Sequence, residues 1–486
     1  MHCTTDQKQS VLDRVTTQAQ EIITDLIEKQ LERGEPGTLK EKETATLRAM
    51  VVLGNEVLGG LLQLHETPYV PDAVSCQCGG QADYQRQREG GVQTILGKVR
   101  VKRAYYLCSD CHQGCYPLDE KLELCVGGLS AGLEECAALA GVVEPFASGA
   151  ELLERLMWTG VRLSHNRVRE ATEDMGQALG EVEDQLLERA FGEAEGGLPA
   201  CPEQGPERLY ISVDGTCVRC EKTEDQADME EAEALEIEAE NRDSNWREAK
   251  VAALYETEQV VTAEGKVAIK AKKMEYYADI TSAQDFARLV WLKAYQRGAS
   301  HAQEIVLVGD GAKWIWNRLL TFFPFAIQIL DWYHVRSYVV KVAQAVFGPD
   351  SSSGKAWSMR EQDLLWEGRV SRVIQHLEAL QQAHPGVEII EKTISYFTSN
   401  QQRMNYPDYR ARGLQIGSGT IESGCKRVVK ARLDQAGMTW TVEGARAVLK
   451  ARAAYLSGHW DDYWQKRPFQ PRAYRRKPTQ ETRLAA

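Results

Sequence analysis

Cysteine is short of what a disulfide framework needs in a chain of this length, 12 in 486 residues, and its spacing matters more than its number. Long apolar runs are lacking as well. The longest apolar stretch, around residues 321–330, is too short to span a bilayer and contains Pro324. The opening residues show no apolar leader core. Together these point to a cytoplasmic protein with no membrane partner. Positive charge is short too, with 58 Lys and Arg against 70 Asp and Glu, a net charge of −12. That balance would argue against nucleic acid if it were evenly spread. It is not: residues 221–248 hold twelve acids against Lys222, Arg242 and Arg247, a local balance of −9. The rest of the chain carries only −3, so basic patches elsewhere are free to meet phosphate. There is no internal repeat, and the length is too great for one core.

What is present reads as a multidomain α+β protein. Residues 1–68 have the apolar spacing of a helical hairpin broken at Gly34-Glu35-Pro36-Gly37, for packing or self-association. Residues 69–124 turn to glycine, cysteine and alternating β-type runs at 92–96 and 99–103, with Gly97-Lys98 as the expected turn. Residues 125–190 have a helix-turn-helix cadence, with Ser164 as N-cap of a helix carrying Arg167 and Arg169. A Gly-, Pro- and Glu-rich linker covers 191–207. The largest unit follows, with strands expected to end at Asp214, Asp310 and Asp331, an all-helical stretch at 335–410, and a last helix from about Thr420. Residues 457–486 form a basic tail.

Two groups of residues carry chemistry. Cys76-x-Cys78 and Cys108-x2-Cys111 flank the β-hairpin as two knuckles, the pattern of a closed tetrahedral Zn²⁺ site that staples a segment too small to hold a core. The first pair is one residue tighter than usual, and Cys115 is a possible substitute ligand. The alternative is reduced structural cysteines. The second group is Val213-Asp214-Gly215 and Val308-Gly309-Asp310-Gly311, each an apolar strand ending in Asp-Gly. On neighbouring strands, two such carboxylates are oxygen ligands for Mg²⁺ or Mn²⁺, and a third completes a two-metal site for phosphoryl transfer. Glu422 is the best third, after Gly417-Ser418-Gly419 and before the cationic run Lys426, Arg427, Lys430 and Arg432. The plain alternatives are turn chemistry at each Asp-Gly and an ordinary i,i+4 pair of Glu422 with Lys426.

The strings 211–216, 308–316, Asp331-Trp332-Tyr333-His334 and 417–430 resemble the bacterial insertion-sequence transposases of the ISKra type, relatives of the Mutator-like transposases. The resemblance implies a ribonuclease-H-like catalytic core over 208–334 and 411–456, interrupted by the helical insertion. It also implies a DDE triad of Asp214, Asp310 and Glu422, with Asp331 and His334 in support. In the insertion, Trp357 and Trp366 would stack on unpaired bases or simply be core. Its further implications are two catalytic Mg²⁺ or Mn²⁺ ions, DNA partners (terminal inverted repeats and target), a homo-oligomer of two or more copies, and a bacterial, nucleoid-associated setting. The implied activity is metal-dependent DNA cleavage and strand transfer. The rivals are a catalytically silent DNA-binding remnant and a ribonuclease-H-like nuclease. The acidic segment is a departure from the resemblance.

Overall fold

The computed structural model describes residues 5–32, 34–65, 71–157, 160–192, 197–221, 245–261, 265, 267–469 and 474–475. Most of the acidic segment (222–244) and half of the basic tail therefore lie outside the described residues. The chain is a multidomain α+β protein of two compact units, residues 1–172 with 462–486, and residues 173–461.

The first unit opens with helices α1 (Thr5–Leu31) and α2 (Leu39–Gln63). They part at the expected break, where Gly34 and Gly37 take positive φ and Thr38 forms a capping box with Glu41. Val11 and Val15 of α1 pack on Gly60 of α2. By length and composition α2 is apolar enough to cross a membrane, with mean hydropathy 1.3 over its best window, which the sequence reading overlooked. Only 11% of that window is buried, and Asn55 of α2 donates to the Lys98 carbonyl at 3.4 Å.

Strands β1 (Ala73–Ser75), β2 (Gln81–Thr94), β3 (Gly97–Cys108) and β4 (Gln113–Cys115) pair antiparallel in that order, and Tyr474–Arg475 adds a fifth strand to β4. The β2–β3 turn sits at Ile95-Leu96, not at Gly97-Lys98. Thr94 pairs with Gly97, and its hydroxyl accepts from the Leu96 N–H and donates to the Gly97 carbonyl. Gly97, at φ 115°, supplies the left-handed backbone this closure needs. Helices α3 (Pro117–Leu122), α4 (Ala131–Val143), α5 (Phe146–Met157) and α6 (His165–Phe191) follow. Ser164 accepts from the Arg167 N–H, as a cap should. The helix it starts runs to Phe191.

The second unit is built on a mixed sheet of β5 (Arg208–Arg219), β6 (Trp246–Val261), β7 (Val267–Asp279), β8 (Glu304–Gly309) and β9 (Ile327–Leu330). The order is β7-β6-β5-β8-β9: β5, β6 and β7 are antiparallel, and β5, β8 and β9 are parallel. Helix α7 (Ala283–Gln296), capped by Ser282, joins β7 to β8, and α8 (Lys313–Phe322) joins β8 to β9. Parallel neighbours require such crossovers. The helical stretch comprises α9 (Trp332–Phe347), α10 (Ser352–Trp366), α11 (Val370–Ala383), α12 (Glu388–Asn400) and α13 (Tyr406–Ala411). It closes the edge strand β9: the hydroxyls of Tyr406 and Tyr409 donate to the carbonyls of Leu330 and Gln328 at 3.0 and 2.8 Å. The chain returns through α14 (Gly419–Gly424), a π-helical turn (Cys425–Lys430) and α15 (Ala431–Leu433), then ends in α16 (Val442–Leu456) and α17 (Trp460–Lys466). The core of the unit holds Leu209, Tyr210, Ile211, Leu254, Tyr255 and Phe286, all fully buried.

Candidate functional site

Register places the two aspartates together. Strands β5 and β8 pair in parallel up to Val213 opposite Gly309, so Asp214 and Asp310 are the next residue on each. The strand expected to end at Asp214 continues to Arg219, because β6 keeps pairing after β8 has left. Asp214 thus sits where one neighbour departs and the other stays, an opening at the carboxyl ends of parallel strands. Each carboxylate is turned by a nearby backbone N–H: Gly215 to Asp214 at 2.8 Å and Ala312 to Asp310 at 2.9 Å. Burial, reinforced by the charge of Asp310, pushes the Asp214 carboxyl up to about 6.

Asp331 organises the rest. It is fully buried, caps α9 through the N–H groups of Tyr333 and His334 (3.2 and 2.9 Å), and accepts from the Ser418 N–H at 2.8 Å. Burial opposes its charge, but the hydrogen bonds from His334 and Ser418 outweigh burial and hold the carboxyl below its ordinary range. His334, 3.4 Å from Asp331, is raised first by that hydrogen bond and further by the charges of Asp310 and Asp214. Ser418 in turn donates to Glu422 Oε1 at 3.3 Å. A chain of contacts therefore runs from Asp331 through Ser418 to Glu422.

Two residues that the sequence reading missed hold the aspartates. The Cys425 thiol, three positions after Glu422, donates to Asp214 Oδ2 at 3.6 Å, and burial beside that carboxylate pushes the thiol far up. It lies in the π-helical turn, an irregularity common at functional sites. Tyr396 of α12 donates its hydroxyl to the Asp310 carbonyl while its ring stacks on Tyr338 at 4.3 Å. Gly311, at φ 96°, sits against that ring, and a Cβ there would lie 2.5 Å from it. Nothing in the sequence pairs 310 with 396; the Gly after Asp310 was the one visible sign of a close approach.

Among the cations assigned to phosphate, Lys426, Arg427 and Lys430 are exposed. Arg432 is not: it is fully buried with its guanidinium 5.0 Å from the Trp440 ring, so a role in contacting DNA is corrected to a core role. It follows the π-helical turn Cys425–Lys430. Arg167 and Arg169 are exposed on α6, Arg167 beside Glu170 at 3.3 Å. Trp366 packs between Trp332 (4.9 Å) and Arg410 (3.9 Å), and Trp357 lies 6.0 Å from Phe347, so both tryptophans are packing residues here.

In the first unit, Cys76, Cys78, Cys108 and Cys111 bring their sulfurs within 4.8 Å of one another, a cluster able to hold a metal ion. The Cys76–Cys111 and Cys78–Cys108 distances are 3.5 and 3.7 Å, against the roughly 3.8 Å edge of a tetrahedron with metal–sulfur bonds of about 2.3 Å. Cys115 is outside the cluster. The backbone N–H of Cys111 lowers the Cys108 thiol to about 7, whereas for Cys111 itself the Gln113 N–H is outweighed by burial and the neighbouring thiols, which push the thiol up to about 12.

Residues 218–467 match the model of an uncharacterised protein family, UPF0236. The match contains Asp310, Asp331, His334, Glu422 and Cys425, and begins after Asp214. No curated protein matches the chain.

Proposed function

The chain belongs to the UPF0236 family, and we propose that it is a DDE transposase that binds terminal inverted repeats and cuts and joins DNA. The observation that carries this reading is the register of Asp214 and Asp310 at the departure point of β8, with Glu422 fastened to Asp331 through Ser418. The mixed sheet in the order β7-β6-β5-β8-β9, followed by helices, is the arrangement a ribonuclease-H-like core with a helical insertion requires.

Asp214, Asp310 and Glu422 offer the hard oxygen donors that suit Mg²⁺ or Mn²⁺. Asp214, raised by burial and by Asp310, is a group whose ionised form a cation would relieve. When bound, such ions activate the attacking oxygen and stabilise the leaving one. The chain's own residues do the rest. Asp331 and Ser418 hold Glu422, Cys425 and Tyr396 hold the two aspartate turns, and Lys426, Arg427 and Lys430 meet the phosphodiester backbone. In the first unit, the four cysteines are read as a structural Zn²⁺ site of a zinc ribbon. Arg167 and Arg169 lead the second helix of a helix-turn-helix.

The test is a strand-transfer assay in Mg²⁺ on duplex DNA carrying the inverted repeats that flank the coding region. Wild type yields joined products, and Asp214→Ala, Asp310→Ala and Glu422→Ala yield none. Binding without cutting by wild type would replace the reading with a silent DNA-binding protein, and cutting without joining with a nuclease.

A further inference from the structure

We infer that the outward face of the β2–β3 ribbon is a contact surface for duplex DNA; this rests on the transposase reading and adds a site to it. Along β3 burial alternates strictly from Gly97 to Arg103, so one face is core and the other is solvent. The solvent face presents Lys98, Arg100 and Lys102, three cations spread over roughly 14 Å of strand. Their partners across the ladder are Gln93, Gly91 and Glu89. Glu89 is the acid there, 3.5 Å from Arg100 in an exposed pair of little strength, so these cross-strand positions keep a balance of +2 in a chain of −12. Gly91 has no side chain, and Lys98 lies across it. Gln85 and Gln87, exposed further along β2, add amide donors and acceptors.

The contrast with the other long ribbon is informative. On β6–β7, Lys270 faces Glu258 and Lys272 faces Glu256, and Lys273 pairs with Glu256 at 3.0 Å, so three cations stand against two acids, a balance of +1. The β2–β3 ribbon carries the larger excess, which phosphate would take. A two-stranded ribbon also fits the roughly 12 Å major groove, where Gln recognises adenine and Arg or Lys recognises guanine.

The experiment is a salt titration of binding, by fluorescence anisotropy, of the full chain to duplex terminal repeat. Lys98→Ala/Arg100→Ala/Lys102→Ala is expected to lower the slope of log affinity against log salt by about 2.7 and weaken binding at least tenfold. Gln87→Ala is expected to reduce the preference for terminal repeat over scrambled duplex, with no change of slope. Lys270→Ala/Lys272→Ala is the control and leaves the slope unchanged. Retained zinc content and circular dichroism establish that each variant is folded. If wild type and the triple variant bind with the same slope, the ribbon inference is overturned while the DNA reading stands. If wild type binds no duplex, or binds single strands more tightly, both fall.

Discussion

The backbone N–H of Ser418 donates to the carboxylate of Asp331 at 2.8 Å, joining residues 87 positions apart in the chain. One fully buried carboxylate thereby starts α9 and fixes the loop from which Glu422 projects. The helical stretch between them can leave and return without loosening the site, because both ends are fastened to the same side chain.

That relationship sets the expected effect of changing Asp331. Asp331→Ala leaves three N–H groups without their acceptor and should cost on the order of 3 kcal/mol of stability. The folded carboxyl lies below its ordinary range, so its charge contributes stability above the unfolded value of about 4, lost as pH falls through the folded value. Urea denaturation of wild type and Asp331→Asn at pH 7 and pH 3.5 checks this. The gap between the two midpoints should narrow at the lower pH, and an unchanged gap would refute the account.

Asp214 has the opposite sign. Its folded carboxyl is raised to about 6, so the folded state holds the proton more tightly. The associated stability is present below the unfolded value of about 4 and lost as pH rises through 6, leaving the ionised group to cost on the order of 2 kcal/mol at pH 8. In buffer without divalent cations, Asp214→Asn should therefore melt several degrees above wild type at pH 8 and level with it at pH 4. Millimolar Mg²⁺ or Mn²⁺ should raise wild type and not the variant. A variant less stable than wild type at pH 8 would show that burial and Asp310 do not disfavour the ionised carboxylate.

These sites also show what a sequence makes legible. The strand-Asp-Gly strings placed Asp214 and Asp310 correctly at neighbouring strands, because local apolar patterning reports strands well. The end of β5 was misplaced because pairing with β6, and no local signal, decides where that strand stops. Cys425 and Tyr396 were invisible for the same reason: their partners lie 211 and 86 positions away. Arg432 was misassigned because nearness in sequence to Lys426, Arg427 and Lys430 does not decide which way a side chain faces; its packing over Trp440 does. The cysteine knuckles were legible because metal-ligand spacing is itself local.

The four-cysteine cluster makes a stoichiometric prediction. The full chain should carry one Zn²⁺, measured by elemental analysis after exhaustive dialysis. Cys76→Ser, Cys78→Ser, Cys108→Ser and Cys111→Ser should each lose it, whereas Cys115→Ser, outside the cluster, should keep it. Loss of the ion should unfold the sheet around Ala82, Tyr106 and Cys108, because that small core has little else to hold it. Zinc lost on Cys115→Ser would reassign the fourth ligand.

Arg432 and Lys430 are two positions apart and should behave in unrelated ways. Lys430 is exposed, and Lys426→Ala/Lys430→Ala should lower the salt slope of duplex binding by about 2 while leaving the melting temperature within a degree or two. Arg432 is fully buried over Trp440, so Arg432→Ala removes a packed side chain from the core and should cost on the order of 3 kcal/mol. Once folded at low temperature, that variant should bind DNA with the wild-type salt slope, since no phosphate contact has been removed. Paired thermal melts and salt titrations separate the two effects. A reduced slope in Arg432→Ala, with stability intact, would return Arg432 to the DNA-facing surface and require the π turn to be wound differently.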